Sequence, residues 1–176
     1  MTMNNLMTQI AISISEVMET MFYIPVEPRD SYTTIGKSGL FTDRAAVSSP
    51  YNPVITPEKI KSAIITFHGI AFSGTIGLIV PENLLMIMTE NFMGENRQHL
   101  TVDHLEGTLK EALNMLAGNT FSKIDDKSSF GLGVPEINTA EVLNRIKESG
   151  EYSNTPLLVV ETMNGRIGIA ADVEQN

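Results

Sequence analysis

Twenty consecutive residues, SAIITFHGIAFSGTIGLIVP from Ser62 to Pro81, carry no formal charge. A run of that length is long enough to cross a bilayer as a helix. Gly69, Gly74 and Gly77 interrupt it, however, and His68 lies inside it. Its β-branched residues on either side of a Gly-containing turn read better as two buried strands, 59–68 and 71–80, than as a membrane span. Pro81 then opens a helix at its first turn, PENLLMIMTENF, and Gly94 closes it.

The remaining segments fit around that strand pair. Leu6, Ile10, Ile14, Val17 and Met21 recur at helical spacing and predict a first helix over about 4–22, stopped by Pro25 and Pro28. From 26 to 51 the chain is rich in Gly, Ser, Thr and Pro, and short strands or loops are expected. Thr101 is a suitable N-cap for the longest helix, about 102–124. FGLGVPEI, 130–137, reads as an extended segment interrupted by Pro135, and TAEVLNRIKE, 139–148, as a short helix or amphipathic insertion. PLLVVETMNGRIGIAADV, 156–173, reads as a hairpin around Asn164-Gly165. Strand runs and helix runs are segregated, which predicts an α+β fold with an antiparallel sheet. The 176 residues fit one domain.

With 42% apolar and 19% charged residues, the balance is globular. The chain has no Cys, so it has no disulfide, thiolate metal site or cysteine nucleophile. A net charge of −9 without a Lys/Arg patch argues against nucleic acid as partner. The N-terminal stretch has no basic start and carries Glu16 and Glu19, so it reads as a structural helix, not a secretory signal. A cytoplasmic location is expected.

The 102–124 helix carries the unusual pattern. At about 100° per residue, Leu105, Leu109, Ala112, Leu113 and Leu116 form an inward stripe. Gly107, Glu111, Asn114 and Gly118 fall within roughly 60° of one another on the opposite side. Each helical glycine costs up to about 1 kcal/mol relative to Ala. Two on one exposed stripe suggest a surface that something approaches closely. On periodicity alone, Glu111 and Asn114 read first as ordinary solvated surface residues.

E-A-L-N-x3-G on this helix, preceded by PENLLMIMTENFMGE and followed by Pro135, resembles the CheC/CheX family of chemotaxis phosphatases. The strand pair AIITFHGIAFSGTIGLIVP, the closing hairpin and the first helix resemble it too. The family pattern is Asp or Ser, x3, Glu, x2, Asn, then a downstream Pro. Glu111 and Asn114 match, and Pro135 sits one residue closer than usual. The Asp/Ser position falls on Gly107 and does not match. CheC-like members repeat the motif on the first helix. Here Ser15 and Glu19 keep its spacing, but Phe22 stands where Asn would be. The closer resemblance is therefore to single-site CheX.

The resemblance implies a CheC-like fold, with an antiparallel sheet packed against long helices, and a homodimer. It implies a phosphatase acting on the aspartyl phosphate of a CheY-like response regulator. Glu111 and Asn114 would be catalytic, and Gly107, Met115, Gly118 and Pro135 would contact the partner. Mg²⁺ would come with the regulator, with no cofactor or metal held by this chain. A non-catalytic module of the same fold, binding a regulator or a motor-switch component, is the alternative. His68, His99 and His104 lack the spacing of a helical metal pair. GLG at 131–133 and SGTIG at 73–77 lack the phosphate-loop pattern.

Overall fold

The computed structural model describes residues 3–27, 33–34, 60–70, 72–124, 130–138 and 156–175. The expected helix at 139–148 and most of the 26–51 stretch lie outside the described residues. The uncharged run is an antiparallel pair, β3 (Ile60–His68) and β4 (Phe72–Pro81), in register from Ile60 opposite Pro81 to His68 opposite Ser73. On its other side β4 pairs with β8 (Gly165–Gln175), which turns back from β7 (Pro156–Thr162).

The outer edge of β7 is covered by two short strands, β1 (Val26–Glu27) and β2 (Thr33–Thr34). The outer edge of β3 is covered likewise by β5 (Gly131–Leu132) and β6 (Glu136–Ile137). The sheet is antiparallel throughout, in the order β1-β7-β8-β4-β3-β5, with β2 and β6 sharing the two edges. β4 lies between β3 and β8, and the uncharged run is buried along its core face, while Thr66, His68 and Ile70 are exposed.

One face of the sheet presents Ala63, Ile65 and Phe67 of β3, Ile76, Leu78 and Val80 of β4, and Ile167, Ile169 and Ala171 of β8, all buried in one core. Against it pack α1 (Met3–Met21), α2 (Glu82–Met93) and α3 (Val102–Ile124). Each fully buried Ile, Leu, Val or Phe side chain among them contributes about 1.5–3 kcal/mol. Leu6, Ile10, Ile14 and Val17 of α1 are buried as the spacing predicts, and Met21 is partly buried. The result is the expected α+β architecture.

Two local expectations are corrected. Pro81 does not occupy the first turn of α2. It is the residue before the helix, extended at φ −61° and ψ 139°, because it is still the strand partner of Ile60. Gly94 does close α2, at φ 67°, with its N–H on the Glu90 carbonyl. The hairpin loop is Met163-Asn164. The left-handed backbone falls on Gly165 (φ 142°), the first residue of β8, while neither loop residue has positive φ.

Candidate functional site

Helix α3 starts where the sequence places it. The His104 N–H donates to Thr101 Oγ1, and the Thr101 N–H donates to His104 Nδ1, both at 3.3 Å. This is a reciprocal cap with His in the Glu/Gln position. His104 therefore has a structural task at the helix start. Leu105, Leu109, Ala112, Leu113 and Leu116 are buried, as are Thr108, Ala117, Thr120 and Phe121.

The opposite side is a narrow open stripe. Gly107, Glu111 and Asn114 are exposed, and Gly118 is half-buried. The stripe also runs further than the motif suggested, since Asp103 and Ser122 are exposed one turn beyond each glycine. Their i, i+4 spacing from the glycines was the signal that could have found them. Among the described residues, the Glu111 carboxylate and the Asn114 carboxamide have neither hydrogen-bond nor ion-pair partners. Both are turned outward with their bonding capacity unspent.

The glycines sharpen this picture. A Cβ on Gly107 or Gly118 would meet nothing within 4 Å. Elsewhere a Cβ would run into the Phe130 ring at Gly69, the Asp172 carbonyl at Gly74 and the Thr66 hydroxyl at Gly133. Those three glycines are required by packing inside the chain. Gly107 and Gly118 are not, and they lower helix propensity without an internal return.

The other predicted contacts lie beside the stripe. Met115 is half-buried and packs against the core, so its first role is filling. Pro135 is half-buried in the link between β5 and β6, and β6 lies against α3. On α1, Glu19 is exposed and Ser15 half-buried, but Phe22 is fully buried and packs on Phe92 at 5.7 Å between ring centroids. Glu16 of α1 pairs with Lys123 of α3 at 2.8 Å. Among the described residues no group of three or more His, Asp or Glu stands close enough to hold a metal ion. Among them, too, no helix is long and apolar enough to cross a membrane.

An antiparallel sheet with three helices packed on one face is a fold shared with solved CheC-like structures. Residues 61–153 match the family model described as "Chemotaxis phosphatase CheX". That is more than half of the chain, and the chain belongs to this family. No curated protein matches it by sequence. Among solved structures it is similar to chemotaxis protein CheX from Vibrio vulnificus, with 15% identity, TM-score 0.61 and 96% of each chain covered. A CheC-like superfamily protein from Shewanella sp. PV-4 gives 14% identity, TM-score 0.64 and 99% of each chain covered. CheX in the CheX-CheY-BeF3-Mg²⁺ complex from Borrelia burgdorferi gives 13% identity and TM-score 0.65, covering 96% of this chain and 97% of that one. At these identities the likeness speaks for the fold.

Proposed function

We propose that this protein dephosphorylates the aspartyl phosphate of a CheY-like response regulator and so terminates its signal. The observation that carries the reading is the α3 stripe, where Glu111 and Asn114 are exposed with no internal partner, between two glycines whose missing side chains leave open space. Membership of a chemotaxis phosphatase family and a CheX relative solved with CheY, BeF3 and Mg²⁺ support it.

The chemistry asked of this chain is small. Hydrolysis of an acyl phosphate needs a water in line with the phosphorus and charge stabilisation on the phosphoryl oxygens. The water oxygen bonds to phosphorus, the bond from phosphorus to the aspartyl oxygen breaks, and the carboxylate and inorganic phosphate leave, with the water protons passing to phosphate and solvent. A carboxamide both donates and accepts hydrogen bonds, so Asn114 can hold that water by its oxygen and nitrogen. Positioning of this kind needs no strong base. Glu111 would pair with a lysine of the regulator's site and fix the register. Mg²⁺ would arrive with the regulator, and the work would be done in the cytoplasm.

The test is to mix the protein with each phosphorylated regulator of its own genome in Mg²⁺ and follow loss of phosphate. Acceleration with at least one is expected, and acceleration with none would overturn the reading. Gly107 in the family's Asp/Ser position favours a second reading, a module that binds without turnover. Gly107→Asp should then raise affinity and leave turnover absent, whereas under the first reading it strengthens docking or turnover.

A homodimer is proposed from the resemblance alone. The long edges of β3 and β7 are already covered by β5, β6, β1 and β2, so exposed edges give no independent argument for it. Light scattering at micromolar concentration should give twice the chain mass of 19.3 kDa. A mass equal to one chain would refute it.

A further inference from the structure

Helices α1 and α2 stop side by side. The Phe22 ring packs on Phe92, and Asn91 Nδ2 donates to the Phe22 carbonyl at 2.6 Å. Both helices leave through a left-handed residue. At α2 it is Gly94, φ 67°, which lacks the Cβ that would strain that backbone. At α1 it is Tyr23, φ 54°, the one non-glycine residue with positive φ among those described. A glycine would serve the backbone there at lower cost. The phenol serves no packing inside the chain: it is 74% exposed, and its hydroxyl has no hydrogen-bond partner among the described residues. Phe92 and Met93, 38% and 41% exposed, stand at the same junction. Apolar residues scattered singly on a surface are ordinary, whereas several gathered at one place mark a contact.

The charges at this junction select the partner. The C-terminal end of a helix carries partial negative charge and favours a cation. Helix α3 follows that rule with Lys123 in its last turn, but neither α1 nor α2 has a basic residue there. Glu19 and Glu90 stand in those last turns instead, and among the described residues neither pairs with a cation. The two basic residues that follow α2 are engaged elsewhere. Arg97 donates from Nε and Nη2 to the Met86 sulfur at 3.3 and 3.0 Å, and His99 lies 3.7 Å from Glu95. Two helix ends and two carboxylates thus make a negative surface beside an exposed aromatic ring. A guanidinium both stacks on such a ring and pairs with a carboxylate.

We infer that the joined C-terminal ends of α1 and α2 form a docking surface for a basic, arginine-bearing segment of a partner protein. An arginine of that segment stacks on the Tyr23 ring, Glu19 and Glu90 supply the countercharge, and Phe92 and Met93 take an adjoining apolar side chain. This surface uses neither Glu111 nor Asn114 and stands whether or not the chain is a phosphatase.

The probe is a short fluorescent peptide of alternating arginine and leucine, titrated with the full chain at physiological ionic strength and read by anisotropy. Saturable binding is expected. Tyr23→Gly should melt no lower than the parent, because glycine suits the left-handed backbone, yet bind about tenfold more weakly. Tyr23→Phe should bind like the parent, since the ring face is kept. Glu19→Gln combined with Glu90→Gln should also weaken binding by about tenfold or more. Asp172→Asn combined with Glu174→Gln removes two exposed charges from β8 and should leave binding unchanged. Equal binding by Tyr23→Gly and the parent would overturn the inference. So would an equal loss from the β8 pair, which would mean adsorption to net charge, or the absence of saturable binding. Equally tight binding of a peptide with glutamate in place of arginine would overturn it as well.

Discussion

The two long helices, α1 and α3, lie side by side on one face of the sheet and carry the same spacing of residues to opposite ends. On α3 the triplet is Gly107, Glu111 and Asn114, all exposed and open. On α1 it is Ser15, Glu19 and Phe22, and the third member is in the core. The Phe22 carbonyl accepts a hydrogen bond from Asn91 Nδ2 of α2 at 2.6 Å. The next residue, Tyr23, turns the chain out of the helix at φ 54°. The third position of α1 thus falls where the helix ends, and it serves packing. The same position of α3 falls mid-helix, where a side chain can face outward on a rigid support. Equal spacing makes a site only where the helix continues and its face is free.

The largest expected effect tests the open face. Asn114→Ala should lower regulator-dependent turnover by on the order of 10²-fold or more, since misplacing the attacking water loses the positioning term. Binding and melting temperature should change little. Near-full activity in a phosphate-release assay would refute the role given to Asn114.

The next effect tests the closed face. Phe22→Asn copies the family residue onto α1, and it should destabilise the fold by about 3–5 kcal/mol through the cavity left beside Phe92. It should add no second site. Denaturant melts and turnover per chain measure both, and a stable variant with doubled turnover would show that the two helices are interchangeable after all.

Glu111→Ala should weaken docking by about 2–5 kcal/mol, as expected when one partner of a desolvated interfacial charge pair is removed. Glu19→Ala, on the equivalent turn of α1, should leave docking unchanged. A titration in which both variants bind alike would erase the distinction between the helices.

The smallest effect concerns a glycine. Gly118→Ala should stabilise the protein by up to about 1 kcal/mol, because a Cβ there meets nothing. Gly118→Leu should also fold, yet lose activity by steric exclusion of the regulator. If thermal melts and dephosphorylation rates show a folded Gly118→Leu with unchanged rate on every regulator the parent serves, this face is not the interface.

Much of this arrangement was legible in the residues. The α3 boundaries, its Thr101 cap, the β3–β4 pair and the buried leucines follow from periodicity, capping and turn chemistry, which act over a few neighbouring residues. The short strands β5 and β6 were read only as an interrupted extended segment. Two-residue strands exist because a longer neighbour offers them hydrogen bonds, and their own sequence carries too little pattern to announce it. The roles of Pro81 and the Met163-Asn164 loop were misplaced by one residue for the same reason, since strand register decides them.

Sequence alone determined that one face of α3 would be apolar and the other would carry Glu111, Asn114 and two glycines, because a residue's angle round a helix depends only on its position along the chain. Sequence alone also placed Phe22 in the third position of α1. Tertiary structure decided which of the many glycines answer to packing. A Cβ is excluded at Gly69, Gly74 and Gly133 by atoms from elsewhere in the chain, and by nothing at Gly107 and Gly118. It also decided that Phe121, within about 20° of Asn114 in helical projection, is buried under the Phe130 ring instead of extending the open stripe. Contacts between residues far apart in sequence depend on how the sheet and helices are stacked, and no local pattern encodes that stacking.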